Sequence, residues 1–486
     1  HQQAGWHAAE AAGCVATDGA WLAGEDGAAG RAGGGVSGFS MSTFVKPAWN
    51  ALAAGRALKL TRGSRELLWV TFGQVIAMAG SFAGIKLLTN TLGPEIYGQL
   101  ALGLSIAGLL SLFVYGPISQ WVLRFFSIYL ERNELAPYLA VTRKIYVRAT
   151  LGVIGLAVLA LPFLASVISK QWVLLALFAV LFAIVAGANT LYVALQSAAR
   201  ERKVVALHQG ADAWLKPLFA AFAVTQFSRS GHVALLGFFI GTLVVSMSQA
   251  LFARRSAWMA RSGKRHSLHV QRAPVWLEFR AYAAPFVLFA LFGTVSLYAD
   301  RWILLGAFGE REVGIYTAMY QLASAPILLL SSVMGQLMAP VIFDRAGSMT
   351  TETQVRSSGE VVSVMVIVSG VVMAVLTGLA YYFGEAVIAA FTSPEFTQFH
   401  GVFWILVLAL SLFNIAQLLS FRGFSSRQTG LYVWPKGIQA LSFAVLSLLL
   451  VRQYGLYGVA VALAISSLAY LAHVIIQNRR VKVRSA

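Results

Sequence analysis

Twelve apolar stretches, interrupted by short polar loops, fill the chain from Leu67 to Gln477. They fall at roughly 67–88, 98–123, 146–168, 171–195, 205–226, 232–253, 281–305, 314–340, 361–384, 401–423, 431–451 and 455–477. A hydrocarbon core about 30 Å thick takes roughly 20 helical residues to cross, so this pattern predicts an all-α polytopic membrane protein with 12 transmembrane helices. The connecting loops leave no room for a soluble catalytic domain. Any function has to sit inside the bundle, which points to transport and not to an enzyme.

Composition supports this reading. Hydrophobic residues make up 58% and charged residues 12% of the 486, and mean hydropathy is +0.71, against a charged fraction of about 25% in soluble domains. The net charge of +18 would suit a nucleic-acid binder, but alternate loops and the two ends of the spanning region hold 28 of the 37 Lys and Arg. The opposite loops hold Lys86, Lys170, Arg229, Arg311 and Arg452. The positive-inside rule therefore explains the charge without nucleic acid, and predicts a multi-pass membrane protein with both termini cytoplasmic.

The chain divides into an Ala/Gly-rich leader (1–40), read as upstream sequence ahead of a start at Met41, and a basic segment (41–66). Trp49, Leu52 and Ala53 with Arg56, Lys59 and Arg62 fit either a helix on the anionic leaflet or a disordered leader. A first lobe (67–255), a basic linker (256–280), a second lobe (281–477) and a basic tail (478–486) follow. The lobes read as repeats: Gly93 and Gly98 recur as Gly309 and Gly314 at an offset of 216 residues. At an offset of 225, Asn189 falls on Asn414, Arg202 on Arg427 and Arg254-Arg255 on Arg479-Arg480. Six helices per repeat make the two halves parallel, with their axis along the membrane normal.

The segment Leu87-Leu88-Thr89-Asn90-Thr91-Leu92-Gly93-Pro94-Glu95-Ile96-Tyr97-Gly98, Gly116 ahead of Arg124, and Ala299-Asp300-Arg301 followed by Gly314-Ile315-Tyr316 resemble the lipid-linked polysaccharide (O-antigen or exopolysaccharide) flippases. That family belongs to the superfamily of the multidrug and toxin extruders, and the resemblance runs from about Glu66 to Arg480. It implies two six-helix lobes that alternate access, and an undecaprenyl-pyrophosphate oligosaccharide as substrate. It also implies the bilayer and a polysaccharide polymerase machinery as partners.

An ionisable residue near the middle of a membrane helix costs about 2.5–3.5 kcal/mol to insert, so by default it faces a cavity or another charge. Asp212 and Lys216, four residues apart, share a helix face; they read either as a structural pair or as a phosphate-binding cation with its resting partner. Arg301 is the preferred substrate residue, and Lys86 falls within one residue of its repeat position, with snorkelling as the alternative. Asp300 is a candidate for ion coupling or for holding the segment Gly309–Gly314. Arg124 and Lys436 are candidates to receive a pyrophosphate or to anchor at the interface, and Gln74 to meet sugar hydroxyls or to hydrogen-bond a neighbouring helix. These five cations against two carboxylates predict a cationic chamber.

The cation-coupled multidrug antiporters of the same superfamily are the alternative, weakened because no Asp or Glu lies between Leu67 and Asn90. A membrane glycosyltransferase or polymerase would need more than the Glu385 and Glu395 of the longest opposite loop. Lipid II flippases would add two C-terminal helices. No phosphate loop and no His-Glu-x-x-His is present; His266 and His269 read as solvated, and Cys14 is the sole cysteine. No cofactor or metal is expected.

Overall fold

A computed structural model describes residues 62–256, 272–346, 351–426 and 428–481. The readings of the leader, the basic segment up to residue 61, most of the linker with its two histidines, and the tail beyond residue 481 lie outside the described residues.

The first helical run, Arg62–Leu110, breaks at Gly93 into α1 (62–92) and the outer limb of α2, which continues through a π-turn, Ser111–Tyr115, into Gly116–Glu131. There follow α3 (Leu135–Val167), α4 (Lys170–Ala198), α5 (Arg202–Gln226), α6 (Gly231–Arg255), α7 (Arg272–Phe308), α8 (Glu310–Ala346), α9 (Glu352–Phe391) and α10 (Gly401–Leu419). The last run, Val433–Asn478, breaks at Gly455 into α11 (433–454) and α12 (456–478). Each of the twelve stretches read from the sequence coincides with one of these helices, apart from residues 168, 420–423, 431–432 and 455, which lie just outside them.

Element ends differ from the sequence reading for a definable reason. The expected links around Gly93 (89–97) and Gly309 (306–313) are instead single glycines with φ of 73° and 96°, and Gly455 is a third at 57°. Only glycine takes such a conformation without a Cβ penalty, so one residue turns the chain and the helices run up to it. Polar residues beside these glycines are consequently helical. Likewise α7 begins near 272 and α9 runs to Phe391.

Eight described helical runs, two of them the double runs, are long and apolar enough to cross a membrane. The helices outside that set are α5 and α7, which carry the charges Asp212, Lys216, Asp300 and Arg301. The exterior is apolar: on α3, Leu151, Leu156, Leu159, Phe163 and Val167 are all exposed. Lipid tails are as apolar as these side chains, so helix association rests on close packing and interhelical hydrogen bonds.

Two buried clusters join the lobes. One, at the end that carries Gly93, Gly309 and Gly455, runs from Ile85 on α1 through Tyr316 on α8 to Leu463 on α12. The other, at the opposite end, packs Trp121, Phe125 and Tyr129 of α2 and Tyr138 of α3 against Phe279 and Tyr282 of α7. The Trp121 and Phe125 rings lie 4.1 Å apart between centroids, tilted by 30°, and Tyr129 donates a hydrogen bond to Glu278 Oε2 at 2.6 Å.

Candidate functional site

The site is built on a glycine stripe. Gly73, Gly80 and Gly84 of α1 face α5, where a Cβ would lie 2.7 Å from Ala206 Cβ, Trp214 Cδ1 and Pro217 Cγ respectively. The missing side chains let the two backbones approach closely, as small residues do in membrane bundles. Trp214 locks the pair by donating its indole N–H to the Ile76 carbonyl at 3.2 Å. Pro217 has no N–H to give, so the carbonyl of Ala213 one turn earlier loses its helical donor.

Between α1, α2, α4, α5 and α6 lies a cavity of about 480 Å³. Its polar lining comprises Gln74, Ser81, Tyr97, Asn189, Thr190, Gln209, Asp212 and Lys216, with Gln321 as the contribution from the second lobe. The Tyr97 hydroxyl donates to Gln321 Oε1 at 2.8 Å, so this wall of the cavity is a bond between lobes.

Lys216 Nζ is ion-paired with Asp212 Oδ2 and stands 5.8 Å from the Phe182 ring centroid. Asp212 Oδ1 accepts from the Thr242 hydroxyl of α6 at 3.0 Å. One carboxylate oxygen is thus tied to the scaffold and the other to a cation that lines open space. One turn earlier, His208 is held by the Val204 carbonyl at 2.8 Å and Ser248 Oγ at 3.0 Å.

The remaining expected residues lie elsewhere. Arg301 is 8% exposed and does not line the cavity. Its guanidinium sits 5.2 Å from the Tyr298 ring and 5.9 Å from the Tyr320 ring, and Nη1 donates to the Leu297 carbonyl at 3.3 Å. Asp300, 1% exposed, accepts the Arg301 backbone N–H at 2.8 Å. Among the described residues these two neighbours form no ion pair, because successive helical side chains diverge by about 100°.

Lys86 Nζ donates to the carbonyls of Ala389 at 3.1 Å and Thr392 at 2.6 Å, capping the C-terminus of α9 in the other lobe. Arg124 is half-buried on the far limb of α2, among the residues of the aromatic cluster. Lys436 Nζ lies over the Phe413 ring at 3.9 Å.

The expectation of a chamber lined by five cations therefore needs correcting. Of Lys86, Arg124, Lys216, Arg301 and Lys436, only Lys216 lines this cavity, and it carries a counter-charge. The structure brings Gln74, Asp212 and Lys216 together. Sequence reasoning missed Gln209, Asn189 and Tyr97 as cavity residues. Gln209 was within reach, since 209, 212, 213 and 216 recur at helical spacing; Tyr97 had no comparable signal, because its place depends on how the lobes meet.

Comparison with solved structures gives the fold. An inward-facing multidrug resistance MATE family transporter of the MOP superfamily superposes with a TM-score of 0.61 at 13% identity, over 89% of this chain and 98% of that one. The lipid II flippase MurJ in an inward closed conformation gives 0.59 at 15%, over 84% and 86%. The eukaryotic MATE transporter AtDTX14 gives 0.58 at 13%, over 87% and 98%. No curated protein sequence matches. Residues 64–345, more than half of the chain, match the family described as polysaccharide biosynthesis protein, and with the two-lobed helical fold around it, the chain belongs to that family.

Proposed function

We propose that this protein is a flippase that carries an undecaprenyl-pyrophosphate-linked oligosaccharide from the cytoplasmic to the opposite leaflet of a bacterial inner membrane, supplying surface or exopolysaccharide synthesis. The observation that carries the reading is Lys216. It is an ammonium on a cavity large enough for a pyrophosphate and a sugar, and its ion-pair partner, Asp212, is independently held by Thr242. An arriving phosphate takes the place of Asp212 at Nζ while the carboxylate keeps its hydroxyl bond. Gln74 and Gln209 offer donors and acceptors for sugar hydroxyls.

With both termini cytoplasmic, as the distribution of Lys and Arg argues, the close approach of Gly98 to Glu310 and of Gly314 to Pro94, with the Lys86 cap on α9, closes the outer side. Opening them parts α2 from α7 and α8, and Arg301 then serves as the second anion-binding cation on the exit path. Arg124 meets the headgroup at the cytoplasmic side, and the polymerase receives the product. Moving about two negative charges outward gains roughly 2.3 kcal/mol per charge per 100 mV of inside-negative potential.

A second reading rests on the same residues. Asp212 is a buried carboxylate in the first-lobe cavity, which suits cation-coupled antiport. Deleting the gene and supplying Lys216→Met or Asp212→Asn separates the two. The flippase reading expects lipid-linked glycan to build up on the cytoplasmic leaflet in the deletion and in Lys216→Met. Normal surface glycan with new sensitivity to cationic drugs, in the deletion and in Asp212→Asn, establishes the antiporter instead.

A further inference from the structure

The two lobes descend from one repeat, yet their paired asparagines are used differently. In the second lobe Asn414 is bonded at both ends of its amide: its Nδ2 donates to the Leu410 carbonyl at 2.9 Å, and its Oδ1 accepts from the Ser331 hydroxyl of α8 at 3.1 Å. It ties α10 to α8. Its counterpart in the first lobe, Asn189 on α4, has a buried Oδ1 that accepts no hydrogen bond from the described residues.

The missing donor has a structural cause. At the 216-residue offset Ser331 corresponds to Tyr115, at the end of the π-turn of α2. The Tyr115 ring packs on Gly187, where a Cβ would lie 2.4 Å from it, and its hydroxyl turns to Thr150 at 3.4 Å. Asn189 instead lines the cavity that holds Lys216. The charge pair is equally one-sided: at the 225-residue offset Asp212 falls on Gly437 and Lys216 on Leu441, which is 68% exposed on the outer face of α11. A buried carbonyl without a donor is a cost that native structures seldom carry for nothing.

We infer that Asn189 is a specificity-determining residue, whose Oδ1, shut off from solvent in this conformation, turns to the cavity with the amide on binding and accepts a hydroxyl of the glycan while Lys216 engages its phosphate. This rests on the flippase reading above. The Asn oxygen can only accept and a sugar hydroxyl can donate, whereas a bare phosphate diester or a phospholipid tail offers it nothing. Loss of one such bond, with the oxygen left buried and unpaired, changes relative affinity by roughly tenfold.

The test uses the full chain in proteoliposomes and two probes, a short polyprenyl pyrophosphate and the same lipid bearing one hexose. The quantity read is the ratio of their translocation rates. Asn189→Leu is expected to lower the wild-type ratio about tenfold, and Asn189→Gln, which keeps an acceptor, to retain part of it. Asn414→Leu is expected to lower the melting temperature while leaving the ratio unchanged. An unchanged ratio in both Asn189 variants overturns the inference and leaves the flippase reading standing. Failure of the wild type to move either lipid overturns that reading, and this inference with it.

Discussion

Gly98 and Gly314 face each other across the lobes as a reciprocal pair. A Cβ on Gly98 would lie 1.8 Å from the Glu310 carbonyl oxygen, and one on Gly314 would lie 1.9 Å from that of Pro94. Pro94 and Glu310 are themselves 216 residues apart, so the contact obeys the symmetry of the internal repeat. The first turns of α2 and α8 cross here backbone to backbone, with Gln99 Nε2 donating to Glu310 Oε2 at 2.5 Å beside them.

Gly98→Ala or Gly314→Ala therefore forces the lobes apart at this end, because the obstructing atoms are backbone and cannot rotate away. Overpacking of this kind costs about 1–3 kcal/mol. The expected result is a lower melting temperature together with greater reactivity of a cysteine placed at Tyr97. Wild-type behaviour in both would mean that the crossing is looser than it appears here.

Lys86→Met removes two charged hydrogen bonds to the end of α9, where the helix dipole also favours a cation. Hydrogen bonds to charged groups contribute about 1.5–3 kcal/mol each. The closed arrangement of this end should lose at least tenfold in population relative to the open one. Distances between spin labels on α1 and α9 would report the change; an unaltered distribution would leave Lys86 without a latching role.

Asp212→Asn frees Lys216 of its competitor, while Lys216→Met removes the cation. If phosphate replaces the carboxylate, the first variant binds a short polyprenyl pyrophosphate more tightly and the second more weakly, in each case by roughly tenfold or more. Titration by isothermal calorimetry in detergent reads both. Equal affinities would show that the anion goes elsewhere.

Tyr129→Phe deletes the bond to Glu278 that links α2 and α7 at the end opposite Gly98. Glu278 is exposed, so water takes the place of the lost donor and the cost is about 0.5–1.5 kcal/mol. Lower thermal stability and wider spin-label distances between α2 and α7 are expected, with no change between α1 and α9. Equal widening at both pairs of positions would instead mean that the two ends move as one.

The bundle was legible because membrane insertion is decided segment by segment. Twenty apolar residues span a bilayer wherever they occur, and a glycine pair repeated at a fixed offset shows its symmetry before any contact is known. Asp212 and Lys216 were legible for a similar reason, since four residues bring two side chains onto one helical face. Lys86 and Arg301 behaved otherwise. A cation at the end of a span can face a cavity, cap a helix or lie between aromatic rings, and its own sequence neighbourhood is the same in each case.

Local periodicity by itself thus determined the helical spans, the twofold repeat and the Asp212–Lys216 pair. Only the tertiary structure decided that Lys86 caps α9, that Arg301 lies between Tyr298 and Tyr320, and that Asn189 faces a cavity while Asn414 is spent on Ser331. Those outcomes depend on which helices touch. That is set by where small residues let backbones approach, and by partners more than a hundred residues away for Tyr97 and for Lys86.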